Sequence, residues 1–149
     1  MTTIIILSAV GAIIAAVIGT IWYSNATPMG KLHMRFLGFD KLSPAEQQAK
    51  MAEAKPMMPK MYAGQMLLSF LTAFATVLII TMSMQNGLSF GMALGFVFLN
   101  WLCFVVPTVG GNILWGNCDR AIAWKKFFSD ILEILVTLIV IAGVASLFV

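Results

Sequence analysis

The stretch Lys125-Lys126-Phe127-Phe128-Ser129-Asp130-Ile131-Leu132-Glu133-Ile134-Leu135-Val136-Thr137 decides how the chain is read. From Ile131 to Val149 nearly every residue is apolar, and the run reads as a transmembrane helix. A carboxylate inside such a helix costs roughly 3 kcal/mol unless it is protonated, paired or hydrated. Glu133 is therefore the first candidate for a functional group. The rest of the chain is read as the scaffold that places partners around it.

Composition sets the class. The chain has 149 residues, 60% of them hydrophobic and 10% charged, with a mean hydropathy of +0.95. A soluble domain of this size has too little interior for so much apolar surface, so the expected class is an all-α integral membrane protein. The formal net charge of +3 is small. No basic patch with interleaved aromatics points to nucleic acid. Cys103, in an apolar span, and Cys118, in a loop, read as two buried thiols and not as a disulfide framework.

Three further apolar runs precede the last one. Span one covers about 3–23. A signal peptide is the competing reading, since Ser24-Asn25-Ala26 resembles a cleavage site. The missing basic n-region, the length of the run and the crowding by Trp22-Tyr23 argue against it. Ser8, Ala12, Ala15, Ala16 and Gly19 repeat at three- and four-residue spacing, which predicts a smooth packing face. Span two covers about 61–84 and span three about 88–106, joined by Gln85-Asn86-Gly87 as a tight antiparallel hairpin. Span three opens with glycines at Gly87, Gly91 and Gly95, a second close-packing face. Pro107 is expected to end it. The segment from Thr108 to Asn117 is too glycine-rich for a secure helix and reads as an interfacial or shallow re-entrant turn. Span four covers about 127–148. Together these predict one membrane domain, 1–149: an antiparallel four-helix transmembrane bundle with a short helix in its first loop.

That loop, 24–60, is the long polar stretch. Ser43-Pro44-Ala45-Glu46 is a capping box with proline at the first helical position. Glu46 and Lys50 follow at i,i+4. Pro56 is expected to stop this helix, and Pro59 to break the chain again before span two.

Loop charge predicts orientation. Loop 24–60 carries six basic residues: Lys31, Arg35, Lys41, Lys50, Lys55 and Lys60. Arg120, Lys125 and Lys126 fall in loop 107–126, and the other side has none. The positive-inside rule then places both charged loops in the cytoplasm and both termini outside. Trp22, Tyr23, Tyr62, Trp115 and Trp124 fall at the same interface as an aromatic belt.

Several short motifs recur in a recognisable order: Trp22-Tyr23-Ser24, Pro28-Met29-Gly30, Met34, Pro107-Thr108 and Phe128-Ser129-Asp130. In this order the chain resembles the small bacterial membrane proteins grouped as domain of unknown function 1761. It departs from them at Met29-Gly30-Lys31, where the family usually has phenylalanine before glycine-lysine. The resemblance implies four spans and a bacterial inner membrane. It implies no activity.

The candidate sites come from the residues. Asp130, Glu133 and Thr137 share one helix face. With a rise of 1.5 Å per residue, Glu133 lies roughly 9 Å inside span four. Asn100, Gln65 and Ser69 fall at comparable depth in spans three and two. These six polar residues predict a hydrated pocket for a cation, a proton or a polar headgroup. The structural alternative pairs Asp130 with Lys126 and ties Glu133 to a basic residue or to Asn100. Lys31, His33 and Arg35 are candidates for an anionic headgroup, or simply the basic anchor of the loop. The methionines Met51, Met57, Met58, Met61 and Met66 with His33 invite a copper reading, but no regular ligand frame accompanies them.

No enzymatic constellation stands out and no cofactor or metal is expected. Three functions remain open. One is a non-enzymatic subunit that packs on itself or on a membrane-protein partner through Ala12, Ala16, Gly19, Gly87, Gly91 and Gly95. Another is a small transporter or channel using Asp130 and Glu133. The third is a lipid- or quinone-binding protein. The lipid bilayer is a partner in all three.

Overall fold

The computed structural model describes residues 1–115 and 119–149, and they carry helices and turns but no strand. Helix α1 spans Thr2–Trp22, α2 Pro28–Phe36, α3 Pro44–Ala54, α4 Met58–Gln85, α5 Phe90–Asn100, α6 Val106–Trp115 and α7 Arg120–Ser146. Among the described residues four helical runs are long and apolar enough to cross a membrane: Thr2–Trp22, Met58–Gln85, Phe90–Leu114 and Arg120–Ser146. The protein is an all-α, multi-pass membrane protein. Its outward surface fits that solvent: Ile13, Leu67, Leu71, Phe96, Phe104 and Ile139 are all exposed.

Local chemistry sets the element ends. Thr27 caps α2 by accepting from the Gly30 amide at 2.9 Å, with Pro28 in the first turn. Gly38, at φ 74°, turns the chain out of that helix into a 3₁₀ turn, Phe39–Lys41. Ser43 and Glu46 form a full capping box at the start of α3, and the hydrogen bonds from Ser43 hold the Glu46 carboxyl below its usual range. The α3 helix stops at Ala54, ahead of Pro56. Pro59 does not break the chain. It sits in the first turn of α4, where its missing N–H has no intrahelical partner to lose. Between α4 and α5, Asn86 donates to Met82 O and Gly87 takes φ 80°. Gly87 thus lies in the turn, not on a helix face, and Ser89 caps α5.

The larger difference is at Pro107. Proline removes one backbone donor and crowds the preceding turn. The helix accommodates this by widening into a π turn, Trp101–Val105, and then continues as α6 through Gly110 and Gly111 to Trp115. Thr108 donates its hydroxyl to Phe104 O at 2.6 Å, supplying a donor beside the one that proline removes. The described part of segment 107–119 is therefore mostly helix and not an irregular turn. Cys103, expected to be buried, is exposed on this helix; Cys118 lies outside the described residues.

Contacts fix the packing. Gly11 meets Ala73 and Ile141, while Tyr23 meets Asp130, so α1 runs antiparallel to α7. Trp101 Nε1 donates to Ile131 O at 2.9 Å and Gly110 faces Phe127, so α5–α6 also runs antiparallel to α7. Helix α7 packs against α1, α2, α4, α5 and α6. The core lies in the half away from the charged loops. It is built from Leu7 and Ala12, from Ala73, Val77 and Ile80, from Ala93 and Val97, and from Leu138, Ile141 and Ala142. At Gly11 a Cβ would lie 2.7 Å from the Ala73 Cβ, so α1 and α4 approach as closely as small residues allow. Gly11→Leu should destabilise the bundle by about 1–3 kcal/mol through overpacking, read as a lower melting temperature in detergent. An unchanged melting temperature would contradict this helix contact.

Candidate functional site

In the half nearer the charged loops the helices part. A cavity of about 810 Å³ opens between α1, α4 and α7, with α2 at one end. Its polar lining is Thr20, Tyr23, His33, Tyr62, Gln65, Ser69, Thr72, Glu133 and Thr137. Ala15, Ala16 and Gly19 form the α1 wall, and Leu138 and Ile141 form the floor next to the packed core. Gln65, Ser69 and Glu133, placed together by depth in the sequence, and Thr137, placed on the Glu133 face, line the same cavity.

Asn100 does not join them. Helix α5 turns Ala93, Val97 and Trp101 inward, each four residues on from the last, which leaves Asn100 exposed on the outer side. Asp130 sits beside the cavity in a different set of contacts. Lys126 donates to its Oδ1 and forms an ion pair with it. Tyr23 donates its hydroxyl to the same oxygen at 2.6 Å. The Lys126 ammonium also lies 4.8 Å from the centre of the Tyr23 ring. One residue earlier on each helix, Trp22 Nε1 donates to Ser129 Oγ at 3.0 Å. Two consecutive residues at the end of α1 are therefore clasped to two consecutive residues of α7. Trp22 and Tyr23 face inward to this clasp, whereas Tyr62 and Trp124 remain exposed as belt residues would be.

Glu133, one turn deeper, has a sparser set of partners. Its Oε1 accepts from Thr137 at 3.2 Å. Among the described residues the one ion pair is Lys126–Asp130, and Glu133 has no cation within salt-bridge distance. Gln65 is near enough to Ser69 for a long contact of 3.5 Å and does not reach Glu133. Neither partner expected of Glu133 in the structural alternative, a basic side chain or Asn100, bonds to it.

Helix α2 closes the loop end. Gly30 is what lets it dock: a Cβ there would fall 1.9 Å from Ser24 O, so only glycine fits beneath the crossing chain. Of the three headgroup candidates, Lys31 and Arg35 are exposed, while His33 turns the other way to line the cavity. Its ring lies 5.1 Å from that of Tyr23, and its Nδ1 is buried without a hydrogen-bond partner. Sequence reasoning missed Gly11, Gly30 and the Trp22–Ser129 pair. The signals for the last were that Trp22-Tyr23 and Ser129-Asp130 both belong to the motifs of the family resemblance and stand at matching ends of two spans.

What fold and site define is a multi-pass membrane protein with an intramembrane carboxylate exposed to a cavity. The chain belongs to the family described as "Protein of unknown function (DUF1761)", whose model matches residues 6–146. No curated protein and no solved structure matches it.

Burial, and then repulsion from Lys126, pushes the His33 imidazole below its ordinary value of 6.5, with Asp130 opposing. The docked α2 therefore favours neutral His33. Its docking is strongest above the unfolded value and weakens as pH falls below 6.5 toward the lowered folded value. Limited proteolysis of segment 24–57 should accelerate on acidification within the window of about pH 5–8 where histidine changes charge. His33→Gln should flatten that dependence. Equal rates for the parent protein across the window would count against it.

Proposed function

We propose that this protein binds a small ligand in the α1–α4–α7 cavity, with Glu133 as the group that receives the ligand's cationic or hydrogen-bond-donating part. The observation that carries this is the pairing pattern. Asp130 takes both Lys126 and Tyr23, and Glu133 is left with one hydroxyl in an open space of about 810 Å³. An unpaired carboxylate among transmembrane helices is costly and marks a binding or transport pathway by default. The volume falls in the range of about 300–1,000 Å³ typical of small-molecule sites. Both charged loops lie at the site's end of the bundle, which the positive-inside rule assigns to the cytoplasm. In this reading the termini are outside and the membrane is the bacterial inner membrane.

The test is titration of the purified protein with a panel of primary and quaternary organic amines, followed by tryptophan fluorescence. At least one should saturate, and Glu133→Gln should weaken it roughly tenfold, the loss expected for one charge-assisted contact. The melting temperature should stay within a few degrees of the parent. Binding indifferent to Glu133, or a variant that fails to fold, would favour a purely structural carboxylate.

One observation supports assembly as a second property. Gly91 and Gly95 are exposed, and a Cβ at Gly95 would touch nothing in the chain. Together with Phe98 and Leu102 they make an unpacked face on α5 and its extension. Gly95→Cys in a protein lacking the native cysteines should form interchain disulfides in the membrane. Their absence under oxidation would argue against self-assembly through this face.

A further inference from the structure

The cavity does not end at the surface of the bundle. It meets an apolar groove of about 420 Å³ on the outer side of the α1–α4 seam, lined by Ile13, Ala16, Val17, Thr20, Ile21 and Met66. Ala16, Thr20 and Met66 line both spaces, so the groove and the cavity adjoin at these three residues. The groove faces outward: Val17 is 52% and Ile21 64% exposed. On a membrane-spanning surface, outward means toward lipid.

Gly19 lines the cavity beside the carboxylate, and Ala16 and Thr20 are the α1 residues shared with the groove. A Cβ at Gly19 would lie 3.8 Å from Glu133 Oε1 with nothing else near. From Gly19 back to Ile13 the helix rises about 9 Å. The groove thus starts at the level of Glu133 and runs from the loop side toward the packed half. A lipid chain runs the same way from an interface toward the bilayer centre. Neighbouring helices lie roughly 8–10 Å apart, and the furrow between two of them is about one hydrocarbon chain wide.

We infer that the ligand is a single-chain amphiphile with a cationic head, which enters from the bilayer between α1 and α4. Its ammonium meets Glu133 and its chain lies in the groove. This rests on the reading of Glu133 as the ligand-receiving group. The head must supply the selectivity, because the chain only exchanges one hydrocarbon surface for another. Glu133 is the acidic side chain among the cavity's lining residues. The buried Nδ1 of His33 adds a second polar contact at the same end.

The experiment uses the intact protein in lipid nanodiscs and two photoreactive probes, a long-chain primary amine and the carboxylic acid of equal chain length, each with a mid-chain diazirine. The amine should label Ile13, Val17, Ile21 or Met66, and the acid should not. Glu133→Gln should lower that labelling roughly tenfold. Thr20→Phe, at an exposed position shared by groove and cavity, should block it while leaving the melting temperature in place. Labelling that depends on Glu133 but falls on Leu138 or Ile141, or that survives Thr20→Phe, would overturn the groove and the lateral route while leaving the binding site standing. Equal labelling by acid and amine, or labelling indifferent to Glu133→Gln, would overturn both.

Discussion

The structure depends on one desolvated cluster, the ion pair of Lys126 with Asp130 and the Tyr23 hydroxyl that donates to the same carboxylate. It fastens the end of α1 to the first turns of α7, with Trp22 and Ser129 bonded beside it. The ammonium is further screened from lipid by the rings of Tyr23 and Phe36. Removing one partner of such a pair would leave the other charge uncompensated, a cost of about 3–5 kcal/mol. The cluster also consumes the cation that could have neutralised Glu133. The same interaction that closes the bundle at the loop side leaves a carboxylate without a counter-ion one turn below.

Bundle and cavity arise from similar residues used differently. In the far half, Gly11 and Ala12 bring α1 against Ala73 and Val77, and apolar side chains fill what remains. In the near half, Ala15, Ala16 and Gly19 are equally small, but α4 presents Gln65, Ser69 and Thr72. Polar side chains there do not fill the space left by the small ones. Helix α2 then closes one end, seated through Gly30 against Ser24 O. Along the outer edge of the α1–α4 seam in this half, Val17, Ile21 and Met66 remain exposed.

Much of this was legible in the chain. The four spans follow from apolar run length, and the start of α3 from Ser43-Pro44-Ala45-Glu46. The pairing of Lys126 with Asp130 follows from i,i+4 spacing, counting residues inward brings Gln65, Ser69 and Glu133 to one depth, and helical spacing puts Thr137 on the Glu133 face. Depth alone does not give the direction a side chain faces, which is why Asn100 was grouped with them and turned out to lie outside. Pro107 was read as a terminator because the π turn that absorbs it has no sequence signature of its own. Gly11 matters through side chains far away in sequence, so no local pattern could flag it, and Gly30, although it stands in a motif, shows its role only once the chain at Tyr23 and Ser24 crosses over it. Trp22 and Tyr23 looked like interfacial anchors since their partners are 107 positions away.

Lys126 belongs to Asp130 and not to Glu133. Two double-mutant cycles, measured as unfolding free energies in one detergent, test it directly. Lys126→Met with Asp130→Asn should show a coupling of more than about 1 kcal/mol, as contacting residues do. Lys126→Met with Glu133→Gln should be additive within about 0.5 kcal/mol, as independent sites are. A second coupling as large as the first would mean that Glu133 already has its counter-ion, and the cavity would lose its reason to bind a cation.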